Sequence, residues 1–337
     1  MTVKVGIPRA LLYYQYHVLW ITFFKELGAE IVLSDYSNKE ILNRGTQSTV
    51  DEACIPIKLF HGHVESIKAR VDILFIPRIT SVHRDEYICP KFCGLPEMIK
   101  NSISHLPPLI SPDINLFTSN KSYDKVIYEI GNTFTKDKRI IQRAYKKARE
   151  KYKDHCLRMK ENHEIKASHD LIRSGLRDRK KRIMLLGHPY HLYDSFLNRN
   201  IACLLLRSGF EVITPEMFNR KDTDPYMDLY PARFFWTFAN KLLGTAAYCV
   251  EKRNIDGFIY ISTFGCGVDS VVADLAEKEI CEKRKIPFLL LTLDEHGGEA
   301  GFHTRVEAFM DMLEWRMRDE DNISSYGQYL YRSESHV

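Results

Sequence analysis

Short, near-continuous apolar runs alternate along this chain with longer stretches in which apolar positions recur every three or four residues. Residues 3–8 (VKVGIP), 29–35 (AEIVLSD) and 71–77 (VDILFIP) read as strands, and 10–28 (ALLYYQYHVLWITFFKELG) as a helix stopped by Gly28. The same grammar returns at residue 182. RIMLLGHP, FEVITP, DGFIYIS and IPFLLLTL are strands, and FLNRNIACLLLRSG is a helix stopped by Gly209. Strands without polar alternation are buried on both faces, as in parallel sheets covered by helices. VGIPRALLYY…LGAEIVLSD can be laid on LLGHPYHLYD…SGFEVITPE. The pattern therefore predicts an α/β protein with two Rossmann-like (flavodoxin-like) parallel-sheet domains of similar topology, facing across a cleft. Their expected bounds are 1–118 and 181–337, with a charged, helix-prone segment at 119–180 as a solvated linker.

Composition narrows the class without choosing a function. The 337 residues are 45% apolar and 27% charged with a formal charge of +4, the profile of a globular protein with no need of a polyanionic partner. Aromatics do not alternate with the basic residues of the linker, so nucleic-acid binding is not expected. The N-terminus lacks the features of a signal peptide, and runs such as IPFLLLTL are too short to span a bilayer. The expectation is a cytoplasmic protein without a membrane partner.

In open α/β sheets, ligands collect beyond the carboxyl ends of the strands. The loops that fall there carry Pro8-Arg9, Pro77-Arg78, Gly187-His188-Pro189, Cys266 and residues 294–301. Eight cysteines in such a chain argue against a disulfide framework. Cys203, Cys249 and Cys281 lie in helical patterns as small hydrophobes, and Cys156 lies in a charged segment. Cys54, Cys89, Cys93 and Cys266 sit beside proline or glycine in loop-like contexts. No CxxC pair is present, so a metal would need a prefolded scaffold to gather them, and thiolates select zinc, copper(I) or iron–sulfur clusters. Four unrelated loop cysteines are the alternative. Gly265 and Gly267 leave Cys266 on a bare, exposed turn. The helix expected after it aims its positive end at the sulfur, which favours a lowered thiol pKa.

The motifs DEACIPIK, FIPR…CPKFCGLP, LGHPYHLYD, GCGVDS and LDEHGGEAGFHTRVEAF resemble the 2-hydroxyacyl-CoA dehydratase superfamily, and more closely its branch related to acyl-CoA dehydratase activators and double-cubane proteins. The resemblance covers nearly the whole chain. It implies a 4Fe–4S cluster, single or joined to a second as a double cubane, on Cys54, Cys89 and Cys266, with no family counterpart for Cys93. It also implies low-potential electrons from a separate ATP-hydrolysing iron–sulfur activator, anaerobic radical or reductive dehydration of CoA thioesters, and pairing with a second dehydratase-like subunit or another copy. No GxxxxGK[ST] loop is present, so no nucleotide is expected to bind directly. The alternatives that stay open are a non-enzymatic electron-transfer, sensor or assembly protein and a structural zinc protein.

Other residues have two readings each. His188 and His191 are candidate catalytic proton donors, or structural partners of loop backbone. Arg9, Arg78 and Arg305 are candidate cofactor contacts, or members of internal pairs. Asp51 and Glu52 read as helix caps, and Asp294, Glu295 and His296 as part of an anion site at a helix start.

Overall fold

The computed structural model of the protein describes residues 2–118, 122–161, 166–167, 170–171, 181–230, 233–252, 255–295 and 297–316. His296, most of 162–180 and the segment 317–337 lie outside the described residues. The N-terminal part runs β1 (Lys4–Ile7), α1 (Tyr13–Glu26), β2 (Glu30–Leu33), α2 (Lys39–Gln47), α3 (Ile55–Ile67), β3 (Ile73–Phe75), β4 (Arg78–Ser81), α4 (Pro90–Cys93), α5 (Leu95–Ser102), β5 (Leu109–Ile110), β6 (Asp113–Asn115), α6 (Ser122–Gly131) and α7 (Lys138–Glu161). A small antiparallel pair, β7 (Lys166–Ala167) and β8 (Asp170–Leu171), follows. The C-terminal part runs β9 (Arg182–Leu186), α8 (Pro189–Tyr193), α9 (Ile201–Arg207), β10 (Glu211–Ile213), α10 (Arg220–Thr223), α11 (Thr237–Lys252), β11 (Gly257–Thr263), α12 (Gly267–Glu277), β12 (Phe288–Leu293) and α13 (Glu299–Arg316).

Two parallel four-stranded sheets result, in the orders β2-β1-β3-β5 and β10-β9-β11-β12. In each, the sheet's second strand along the chain lies outside the first, and its third and fourth follow on the other side. The protein is therefore α/β with two Rossmann-like sheets of the same order, as the apolar runs predict. All seven residues of β11 are buried, which explains why its sequence shows no alternation. The fourth strand of the first sheet is not apparent from sequence, because Leu109 and Ile110 are two residues in a proline-rich stretch, PPLISP.

The charged segment after residue 119 forms helices, but α7 is not solvated all round. Ile141, Ala144 and Ala148 belong to the core of the first sheet, and Tyr152 meets Tyr16 of α1 with ring centroids 5.9 Å apart. These positions repeat at helical spacing, but the small alanines carry little apolar signal between lysines and arginines.

Helix α3 ties the two sheets together. Of its 13 residues, all but Glu65 and Ser66 are buried. Ile57, Phe60, Val64 and Ile67 pack into the core of the first sheet, while Ile55 and Leu59, with Ile41 and Leu42 of α2, pack into that of the second. In return, Tyr190 and Phe238 of the C-terminal part enter the first core. The buried ammonium of Lys58 donates to Glu295 at 2.8 and 2.9 Å, a second tie between the two parts. Glu295 is thus committed to Lys58, whatever becomes of the anion-site expectation.

The α2–α3 contact is backbone against backbone. A Cβ added to Gly45 would stand 1.8 Å from the Lys58 carbonyl oxygen, and one added to Gly62 would stand 1.8 Å from that of Ile41. Neither carbonyl can rotate away as a side chain could. Gly62→Ala should therefore lower stability by about 3 kcal/mol, the upper end of overpacking costs. Urea denaturation of wild type and variant checks this, and equal midpoints would show that the crossing is loose.

Candidate metal centre

Three cysteines reach one pocket from three helix starts. Cys54 stands immediately before α3, Cys89 before α4 and Cys266 before α12, each at the N-cap position. All three line the same pocket, with Leu11, Phe92, Tyr190, Trp236 and Phe238 supplying apolar and aromatic wall. An ideal Cβ on Gly265 would lie 3.9 Å from Cβ of Cys54, so the turn before Cys266 rests directly on the start of α3. Gly265 has φ +78°, a conformation that glycine adopts without strain, whereas a side chain at Gly267 would meet open space. Leu11 lines the same pocket in the left-handed region, at φ 53°.

The segment leading to Cys89 is held from both parts: the Ile88 amide donates to the Thr80 carbonyl at 3.1 Å, and the C-terminal part supplies further ties. The Tyr87 amide donates to the Phe235 carbonyl at 2.5 Å, and the Thr237 amide to the Tyr87 carbonyl at 2.8 Å. The Glu86 carboxylate, 4% exposed, accepts from Arg220 at 2.5 and 2.7 Å and from Asn240 at 3.0 Å. A paired, hydrogen-bonded buried carboxylate of this kind resists movement, because breaking it leaves charge unpaired. Cys93 takes no part in the pocket wall; its sulfur accepts from the Thr80 hydroxyl at 3.5 Å.

The electrostatics differ from those expected of a bare turn. Cys266 is partly buried, and burial, then the Asp269 carboxylate, pushes its thiol pKa well up despite the Asp269 amide facing the sulfur. Cys54 and Cys89 add to the rise. Burial likewise pushes the Cys89 thiol up, with Cys54 adding to it, against the pull of the Lys91 amide. The helix-end effect on Cys266 is therefore present but outweighed. With ionisation of Cys89 and Cys266 disfavoured in this apolar pocket, these two thiols keep their protons until a cation replaces them. Amides aimed at sulfur are also the hydrogen bonds that stabilise bound cluster thiolates. The donor set and its surroundings fit a thiolate-held metal cluster.

Behind Cys266 lies a buried polar cluster that sequence reasoning missed. Asp269 is fully buried and accepts from the Tyr260 hydroxyl at 2.9 Å and from His188 Nε2 at 3.0 Å. Burial pushes its pKa up, but His188, His191 and Tyr260 outweigh this and hold it at about 2. The available signal was its place three residues after Cys266, in the first turn of an otherwise apolar helix. His188 lines the pocket; His191 does not. His191 is fully buried, its Nδ1 donates to the Ile261 carbonyl at 3.1 Å, and its Nε2 lies 3.5 Å from the Thr263 hydroxyl.

The three candidate arginines also stay outside the pocket wall. Arg78 pairs with Glu97 and donates to the Cys93 carbonyl at 2.7 Å. Arg305 donates to the Leu290 carbonyl at 2.6 Å, and the Arg9 guanidinium lies 4.2 Å from the Tyr36 ring centroid. Asp51 and Glu52 are exposed and do not cap α3, whose N-cap is Cys54 itself. Of the helical cysteines, Cys249 and Cys281 are buried, whereas Cys203 is only partly so.

The family model of the CoA enzyme activase uncharacterised domain matches residues 4–218, and that of the 2-hydroxyglutaryl-CoA dehydratase D-component matches residues 126–313. Each spans more than half of the chain, and the chain belongs to the 2-hydroxyacyl-CoA dehydratase superfamily that both represent. No curated protein matches it. Among the described residues no helix is long and apolar enough to cross a membrane.

The buried histidines set a pH dependence. Burial pushes His191 and His63 down to about 3, each from an ordinary value of 6.5. Between those values the unfolded chain binds protons that the folded chain excludes, so stability must fall as pH drops below about 6.5. Each histidine contributes a slope of up to about 1.4 kcal/mol per pH unit. Chemical denaturation at pH 7.5, 6 and 5 should show this loss, with a shallower slope in His63→Gln. An unchanged slope in that variant would mean His63 is protonated in the folded protein.

Proposed function

We propose that this chain is an iron–sulfur component of a CoA-linked dehydratase system. It holds a 4Fe–4S cluster on Cys54, Cys89 and Cys266, and takes low-potential electrons from a separate ATP-hydrolysing activator for a reductive or radical dehydration. The observation that carries this reading is the convergence of three cysteines, 35 and 177 residues apart in sequence, at three helix starts around one pocket. Membership of the dehydratase superfamily supports it further.

When bound, such a cluster supplies one-electron chemistry at low potential. The chain's own contribution is to hold and shield it. The three thiols anchor it from both sheets, so its position depends on the α3 wedge and the Glu86 clamp. The Lys91 and Asp269 amides face two of the sulfurs and stabilise negative charge there. Phe92, Tyr190, Trp236 and Phe238 keep water from the pocket wall. A zinc reading has one observation in its favour: donor atoms of His188, Cys266 and Asp269 all lie within 4.8 Å of one another.

Purification and reconstitution without oxygen should give about four iron and four acid-labile sulfide per chain. Cys54→Ser, Cys89→Ser and Cys266→Ser should each lose most of this while keeping the wild-type circular dichroism. Cys249→Ser, which alters a fully buried thiol away from the pocket, should cost stability and spare iron. Wild-type protein that retains zinc and no sulfide, or a Cys266→Ser protein with full iron and sulfide, would overturn the proposal.

A further inference from the structure

We infer that His188 supplies a nitrogen ligand to the metal centre, completing a set of three sulfurs and one nitrogen. This deepens, and rests on, the reading of the cysteine pocket as a metal site. His188 is 4% exposed and lines that pocket with the three cysteines. Its Nε2 donates to the Asp269 carboxylate at 3.0 Å, which fixes the tautomer and leaves the lone pair on Nδ1. That Nδ1 is buried and has no hydrogen-bond partner in the protein. A buried imidazole nitrogen left unpaired is costly, so its retention calls for a compensating role.

The ring cannot turn elsewhere to find a partner. Tyr190 stacks on it with centroids 5.1 Å apart, Phe238 meets it edge-on at 5.0 Å, and Asp269 holds its far side. Asp269 is itself fixed by the hydroxyls of Tyr260 at 2.9 Å and Ser262 at 3.4 Å. A histidine whose one nitrogen binds a carboxylate, while the other is buried without a partner in a ring that lines the cysteine pocket, has the arrangement of a metal-ligating histidine with its supporting carboxylate. The Cys266 sulfur and a His188 ring nitrogen also belong to the group of donor atoms that lie within 4.8 Å of one another. The contrast with His191 is instructive, since both of its ring nitrogens have partners within the fold. Of the two motif histidines, His188 is the one with a nitrogen to give.

Three cysteines alone leave one position of a four-iron centre open to a substrate oxygen or to water. A protein nitrogen there closes it, and raises the reduction potential relative to an all-thiolate set. The chain would then pass electrons onward and would not bind substrate at the metal. Asp269 is a positioning residue in this scheme, since it acts through His188.

Two measurements made without oxygen test the inference. The first is pulsed electron paramagnetic resonance on reduced, iron- and sulfide-loaded wild-type protein, which needs no variant. The second is titration of metal-free protein with cobalt(II), comparing wild type with His188→Ala after circular dichroism has shown both to be folded. The expected results are a nitrogen hyperfine coupling of a directly bound imidazole, and cobalt affinity at least about tenfold weaker in the variant. Loaded protein without that coupling would overturn the histidine ligand and leave the proposed function standing. Protein that takes up neither iron nor sulfide, yet shows the His188-dependent cobalt affinity, would overturn the iron–sulfur reading and support the ligand. Cobalt affinity independent of His188, with no cluster formed, would overturn both.

Discussion

Helix α3 is buried on nearly every side, and the rest of the molecule is arranged around that fact. One stripe of its side chains completes the core of the first sheet and the opposite stripe that of the second. With apolar side chains on two opposite faces, this helix cannot lie on a protein surface, and the two sheets close on it from both sides. The close approach of α2, allowed by Gly45 and Gly62, leaves little room for the helix to slide. Its first residue follows Cys54, which is therefore set at a fixed point between the sheets. The Lys58–Glu295 pair adds a penalty for separation, since parting the two would leave an ammonium buried and alone.

The cysteine pocket inherits its geometry from this arrangement. Cys54 comes with α3, Cys266 with the end of the central strand of the second sheet, and Cys89 with a loop pinned to the second sheet's side by Glu86 and Tyr87. Each sulfur stands where a serine or aspartate would cap a helix, and backbone amides face at least two of them. The same closeness that would let the thiols share a metal raises the cost of ionising Cys89 and Cys266 without one. Burial and mutual repulsion outweigh the helix ends, so Cys266 is a shielded thiol and not the reactive one its glycine-flanked turn suggests. Behind it, Asp269 gathers His188, Tyr260 and Ser262 into a rigid polar cluster that connects the pocket wall to the sheet.

Where sequence and structure part company, the reason is tertiary. Asp269 reads as a polar residue in a helix's first turn, and only the packing of α12 against β11 and α8 makes it the centre of a hydrogen-bonded group. The lysine- and arginine-rich α7 reads as solvated because its buried stripe consists partly of alanine. Trp236 and Phe238 join the pocket from a segment with no motif, carried there by pairing with Tyr87.

The sequence by itself determined the α/β class and the two similar parallel sheets, and it set four cysteines in loops apart from those in helical or charged segments. Buried parallel strands must be continuously apolar, and ligand loops must follow strand ends, so both leave marks that need no coordinates. Only the tertiary structure decided which groups surround those cysteines and in what state. Burial, the distance between sulfurs from different elements, and the orientation of a histidine ring depend on how helices and sheets pack, and local sequence carries no measure of them.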